Sequence, residues 1–271
     1  MNKGRQPLWP AVIWGAALII LGVMVLLGNL GVLPSALFWP LLLILLGLGI
    51  IFASLLGGGR VARVATHHQV ALPEGLQAAD IALGFGVGDL DVHPAEDATT
   101  LAEGHFETGK RLSFEIAEGR ARVRFGSLSG WDWFAFWRTI GDAEVELNPQ
   151  VPLNLCVEGR LGDVRLDLSR LQVHRLRVPV AIGDVRIRFP RAAGSTAATL
   201  GPSLGDLILS IPAEVGARIE VPPGFLGSLS FDRTRFQRQR YTYVSENLES
   251  AENHLEVRIS AHLGDIRIRT I

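Results

Sequence analysis

The sequence predicts two unlike parts: an N-terminal α-helical transmembrane hairpin and an all-β C-terminal domain, a single-chain β-solenoid with coils of ~21 residues. Three observations carry that prediction. The chain has 26 basic and 27 acidic residues, yet its first 59 positions hold only Lys3 and Arg5 as charges. Glycine–aspartate pairs recur at Gly88-Asp89, Gly141-Asp142, Gly162-Asp163, Gly183-Asp184, Gly205-Asp206 and Gly264-Asp265. Each pair leads into alternating apolar and polar residues, the period of a strand with one buried face.

The hairpin occupies residues 1–56, with spans over 9–29 and 37–56. Each run supplies the roughly 20 apolar residues that a helix needs to cross the hydrocarbon core. Trp9-Pro10 and Trp39-Pro40 open the two helices. Proline suits a first helical turn, where its missing N–H leaves no bond unmade, and Trp9 and Trp39 suit the bilayer interface. A cleaved signal peptide has one shorter apolar region and a small-residue cleavage site, so two tandem spans do not fit it. Lys3 and Arg5 precede the first span and Arg60 and Arg63 follow the second, while the connecting turn carries no charge. The positive-inside rule then predicts both termini and the β domain in the cytoplasm.

Residues 57–65, "GGGRVARVA", read as a basic glycine-rich linker, and 66–271 as the solenoid. From Asp142 the anchors are spaced 21, 21 and 22 residues apart, whereas the outer gaps of 53 and 59 leave room for weaker coils or insertions. Val164, Leu166 and Leu168 should face inward, as should Val185, Ile187 and Phe189, then Leu207, Leu209 and Ile211, and finally Ile266 and Ile268. Pro94, Pro149, Pro190 and Pro212 close strands, because proline cannot donate to a central ladder. A second strand fits between anchors, as in "LNLCVEG", "HRLRVPVAI" and "NHLEVRISAHL". One coil cannot bury its apolar side alone, so stacking makes the core and leaves the end coils weakest.

The repeated aspartates invite a chemical reading, but the chemistry is weak. Glycine supplies the positive φ of a sharp corner, and aspartate can bond backbone amides two residues on. A calcium ladder would need the nonapeptide G-G-x-G-x-D repeat of β-rolls, which is absent. Arginines at 165, 186, 188, 267 and 269 can offset the carboxylates instead. "GPSLG" at 201–205 matches a nucleophile elbow in letters only, since a strand rather than a helix follows Ser203. The seven histidines show no H-E-x-x-H spacing, and the adjoining pair His67-His68 reads as solvated. The single Cys156 rules out an intrachain disulfide and a cysteine-based zinc site. No catalytic, cofactor or metal residues are predicted, and no basic–aromatic motif argues for nucleic acid. The most unusual segment is "WDWFAFW" at 131–137. Trp131, Trp133, Phe134, Phe136 and Trp137 form a candidate cap over the solenoid end or a docking cluster.

The run "NPQVPLNLCVEGRLGDVRLDLSRLQVHRLRVPVAIGDVRIRFP", then "LGPSLGDLILSIP" and "HLGDIRIRTI", resembles the toastrack-type β-solenoid of bacterial LiaF-like proteins. The paired "WP" hairpin resembles the membrane segment often placed before that domain, while residues 95–140 match least well. The resemblance implies a non-enzymatic membrane protein that acts by binding. Its best-known members restrain a sensor kinase in envelope-stress signalling. The expected partners are the lipid bilayer and a membrane protein such as a sensor kinase, with room for a homo-oligomer. The rival reading is an extracytoplasmic adhesin or ligand-binding module anchored by the hairpin.

Overall fold

Where valine, leucine and isoleucine alternate with charged residues, the chain forms strands. The computed structural model describes residues 66–107, 112–117, 119–125, 141–201, 203–223, 226–260 and 262–271. The predicted hairpin with Trp9 and Trp39, the linker, and the aromatic cluster Trp131, Trp133, Phe134, Phe136 and Trp137 lie outside the described residues. No helix among the described residues is long and apolar enough to cross a membrane. Arg63–Ile271 forms one compact unit, and its described part is all-β.

The chain begins with β1 (Thr66–Ala71), β2 (Ala78–Gly84), β3 (Leu90–Pro94), β4 (Thr100–Phe106), β5 (Leu112–Ala117), β6 (Arg120–Phe125) and β7 (Ala143–Leu147). The regular coils follow as β8 (Pro152–Leu161), β9 (Val164–Asp167), β10 (Gln172–Val178), β11 (Val180–Ile182), β12 (Val185–Arg188), β13 (Ser195–Leu200), β14 (Ser203–Leu204) and β15 (Leu207–Ile211). The last segment holds β16 (Gly216–Glu220), β17 (Leu229–Phe231), β18 (Phe236–Gln239), β19 (Thr242–Ser245), β20 (His254–Ile259), β21 (His262–Leu263) and β22 (Ile266–Thr270).

Two long sheets face each other across the core. One runs β1-β4-β7-β3-β9-β12-β15-β22-β17; the other runs β18-β19-β16-β20-β13-β10-β8 and continues through β2 and β6 to β5. A narrow third face joins them, where the end of β8 pairs in parallel with β11, β11 with β14, and β14 with β21. The regular coil therefore has three strand positions, not the two expected from alternation. Pro179 separates β10 from β11, because it has no N–H to continue a ladder.

The stacking order departs from the chain order at both ends. β2 and β3 lie between β6–β7 and β8–β9, although they precede β6 in the chain. Likewise β20 and β22, the last coil of the chain, lie between β13–β15 and β16–β17. The first and last glycine–aspartate coils are thus interior. The parallel stack ends instead in antiparallel strands: β4 and β1 beyond β7, β5 beyond β6, and β19 and β18 beyond β16.

The predicted inward residues are buried, from Val164, Leu166 and Leu168 through Ile266 and Ile268, and they belong to one hydrophobic cluster. Each fully buried Leu, Ile or Val contributes on the order of 1.5–3 kcal/mol. Polar groups fasten the two ends. Buried Asn148 donates to the carbonyls of Ala98 (2.9 Å) and Thr100 (2.7 Å) and accepts from the Gln150 amide. At the other end Arg235 donates to the carbonyls of Ile211, Pro212 and Val215, and burial pushes its guanidinium pKa down.

The corner glycines fix how closely the coils approach. Those at 88, 141, 162, 183, 205, 227 and 264 have φ between +133° and +152°. A Cβ at Gly183 would overlap the carbonyl oxygen of Gly162, and one at Gly205 that of Gly183. We expect Gly183→Ala to destabilise the domain by about 2–4 kcal/mol, because it adds backbone strain to a clash. Gly75→Ala, at a positive-φ turn with open space around it, should cost only about 1 kcal/mol. Urea denaturation of the two variants measures the difference.

Candidate interaction surface

At each corner the chain turns from the narrow face into the long sheet that contains β9. The aspartates there do not bond amides two residues on, as the sequence suggested. Each bonds the next coil. The Asp89 amide donates to Asp142 Oδ1 (2.9 Å), that of Asp163 to Asp89 (3.1 Å), and that of Asp184 to Asp163 (3.1 Å). The ladder continues from Asp206 to Asp184 (2.9 Å), from Asp265 to Asp206 (3.3 Å) and from Ser228 to Asp265 (3.0 Å). Parallel in-register stacking brings the neighbouring amide within reach, so the inter-coil bond replaces the local one. Among the described residues the local turn forms outside these corners, at Asp97, Asp167 and Asp232, whose carboxylates accept from the amides of Thr99, Ser169 and Thr234. Hydrogen bonding from Ser228 holds the Asp265 carboxyl below the ordinary range.

Arginines two residues after the aspartates use the second carboxylate oxygen. Arg186 lies 3.5 Å from Asp163 and 3.1 Å from Asp184, and Arg267 lies 2.9 Å from Asp206 and 3.4 Å from Asp265. Arg165 reaches Asp89 and Asp163 at 3.7 and 3.8 Å. These partly exposed pairs are each worth about 0–1 kcal/mol. They set positive charge beside Asp89, Asp163, Asp184, Asp206 and Asp265.

The residues before five of the corner glycines, at 162, 183, 205, 227 and 264, point outward. Leu161, Ile182, Leu204, Leu226 and Leu263 are between 45% and 66% exposed. Pairing of the narrow face, with bridges from Val87 to Leu161 and from Leu226 to Leu263, lines them up one per coil. At parallel-strand spacing of about 4.8 Å they form a continuous aliphatic ridge along the stack. Sequence alternation did not separate these positions from the core, because the chain reverses its inner face at the corner.

Two shallow depressions flank the stack. One, of about 240 Å³, surrounds Cys156 with Arg122, Arg124, Arg175 and Arg177. Burial pushes the Cys156 thiol up, and Glu158 adds to this, while Arg177 and Arg124 act against it. It is therefore a poor nucleophile at neutral pH. The other, of about 430 Å³, is acidic: Asp89, Asp91, Glu107, Asp142 and Glu144 line it with His105 and Arg165. Ser203 opens the two-residue β14 and is followed by β15, with no helix.

Residues 62–200, just over half of the chain, match the family described as the N-terminal domain of toast_rack, DUF2154. The chain belongs to the toastrack family. Its toastrack domain is also similar in fold to a crystal structure from Clostridium sporogenes, provisionally described as a cell adhesion protein. That similarity has a TM-score of 0.63 at 20% identity, over 76% of this chain and 100% of that one. A provisionally described adhesin from Bacteroides fragilis covers 76% of this chain and 98% of its own at 9% identity, but its TM-score of 0.27 carries no argument. No curated protein sequence matches the chain.

Sequence reasoning missed a second feature of the toastrack domain, because it looked for ligands close in sequence. Antiparallel pairing of β1 with β4 sets His67 opposite His105, with their rings stacked at 4.5 Å. The Glu103 carboxylate lies 2.8 Å from His67 Nε2. One strand further, Glu144 lies 3.0 Å from His93 Nε2. Partial burial opposes protonation of His93, but the Glu144 bond and the charge of Glu146 outweigh it and raise the pKa above 6.5. A folded-state pKa raised above the unfolded one gives stability that is present at low pH and lost as pH rises through it. The stability difference between the wild type and His93→Gln should thus be largest below about pH 6, under about 1 kcal/mol, and vanish by about pH 8.5. Denaturation curves at both pH values measure it.

Proposed function

We propose that this toastrack protein is a non-enzymatic, membrane-anchored scaffold that regulates a membrane protein partner, such as a sensor kinase of the bacterial envelope-stress response. The aliphatic ridge carries the reading. Exposed aliphatic side chains aligned in one row are a binding feature rather than a packing one, and Leu161, Ile182, Leu204, Leu226 and Leu263 make such a row. The occupant that fits is an amphipathic segment of the partner. Its apolar side would lie on the ridge, and its charged flank would meet the aspartates and arginines that follow two and four residues later in the chain. The repeated carboxylates are engaged by backbone amides and arginines, which favours binding over catalysis. Two apolar runs at 9–29 and 37–56 support anchoring in the bilayer, and the flanking bases support a cytoplasmic domain.

The second reading is an extracytoplasmic adhesin, and the fold shared with the Clostridium sporogenes protein is the observation in its favour. One experiment on native membranes separates the two. A photo-crosslinking residue at Ile182 or Leu204 should capture a membrane protein, and one at Glu252, an exposed position in the bend before β20, should not. In the same cells, a membrane-impermeant thiol reagent should reach Cys156 only after permeabilisation. Labelling of intact cells supports the adhesin, and absence of ridge adducts contradicts the scaffold.

A further inference from the structure

The outer face of the long sheet changes chemistry along the stack. Toward β22 the first outward row carries Arg165, Arg186, Ile208 and Arg267, three cations and no acid. Toward β1 the same row carries Asp91, Glu144, His105 and His67, in register across β3, β7, β4 and β1. The next row adds His93, Glu146 and Glu103. Among the described residues, Arg165 is the nearest cation of this face, and it already pairs with Asp89 and Asp163. The field there favours a cation.

Within this face three donors converge. His67 and His105 are directly opposed on antiparallel strands, so their side chains leave the same surface side by side. Glu103, two residues before His105, projects from that surface too, and one ligand atom from each of the three lies within 4.8 Å of the others. Ligand atoms around a tetrahedral zinc ion are about 3.3 Å apart, given bonds near 2.0–2.1 Å. The 2.8 Å contact between His67 Nε2 and Glu103 Oε1 is already close to that edge. Small rotations of the stacked rings would bring His105 into range. We propose that His67, Glu103 and His105 bind a divalent transition-metal ion of the zinc class, leaving one position to water. Two imidazoles with one carboxylate select zinc-like ions over calcium or magnesium, which take all-oxygen sets. Glu144, beside His105 and fastened to His93, supplies outer-shell charge.

The consequence follows from the place in the fold. Among the described residues, β1 is the outermost strand of its sheet and pairs only with β4. It is also the first strand after the linker that joins the predicted hairpin. An ion held by His67 from β1 and by Glu103 and His105 from β4 clamps that edge strand and fixes where the chain enters the domain. This does not depend on the scaffold reading.

The test uses the untagged full-length chain in detergent, stripped with chelator and titrated with Zn²⁺ by calorimetry and with Co²⁺ by visible absorption. One saturable equivalent of Zn²⁺ is expected, with Co²⁺ giving the intense visible bands of a low-coordinate site. His105→Ala and the conservative Glu103→Gln should each weaken Zn²⁺ binding about tenfold or more, with unchanged melting in chelator. His254→Ala, on the distant and exposed start of β20, should bind as the wild type does. No saturable binding, equal affinity in Glu103→Gln, or an equal loss in His254→Ala would overturn the site.

Discussion

Every coil of this domain turns at a glycine that lies against the glycine of the next coil, with no room for a Cβ between them. That close approach sets the architecture. It brings the aspartate amide of one coil onto the carboxylate of its neighbour, from Asp142 through to Ser228. It also keeps the strands on either side of the corner in parallel register, so that Val185 stacks on Val164 and Leu207 on Val185. The aliphatic core supplies most of the stabilisation, because solvent-exposed ion pairs contribute little. The corner ladder supplies the alignment that lets the core be continuous.

Alignment at the corner propagates outward as well as inward. If the glycines stack, so do the residues before them, which gives the ridge of Leu161, Ile182, Leu204, Leu226 and Leu263. So do the residues two beyond the aspartates, which gives the arginines at 165, 186 and 267, interrupted by Ile208, and the acids at 91 and 144. A solenoid thus turns the identity of one position per coil into a stripe, and a change of residue type into a boundary along the axis. The ridge, the arginine column and the histidine–carboxylate face are three such stripes on one frame.

Much of this was legible in the sequence where the spacing was regular. The 21- and 22-residue intervals between Asp142 and Asp206 gave the coils, and alternation gave the buried faces. The outer intervals of 53 and 59 residues hid the rest. Nothing local shows that the coil of Asp265 inserts beneath that of Gly227, or that the coil of Asp89 lies inside that of Asp142; long-range pairing decides both. The short β11, β14 and β21 were invisible because two or three residues make no period. The histidine cluster was hidden for a similar reason: His67 and His105 meet only through the β1–β4 pairing. The aspartates were read as local turn formers, whereas stacking puts a better-placed amide in the next coil.

The central claim is that corner carboxylates hold neighbouring coils in register, and native-state hydrogen exchange tests it most directly. The amides of Asp163, Asp184 and Asp206 should exchange as slowly as those of Val185 and Leu207 in the adjoining strands. In Asp184→Ala the Asp206 amide, which donates to that carboxylate, should exchange faster than its neighbours do. Turn-like exchange of these amides in the wild type, or an unchanged Asp206 amide in the variant, would contradict the account.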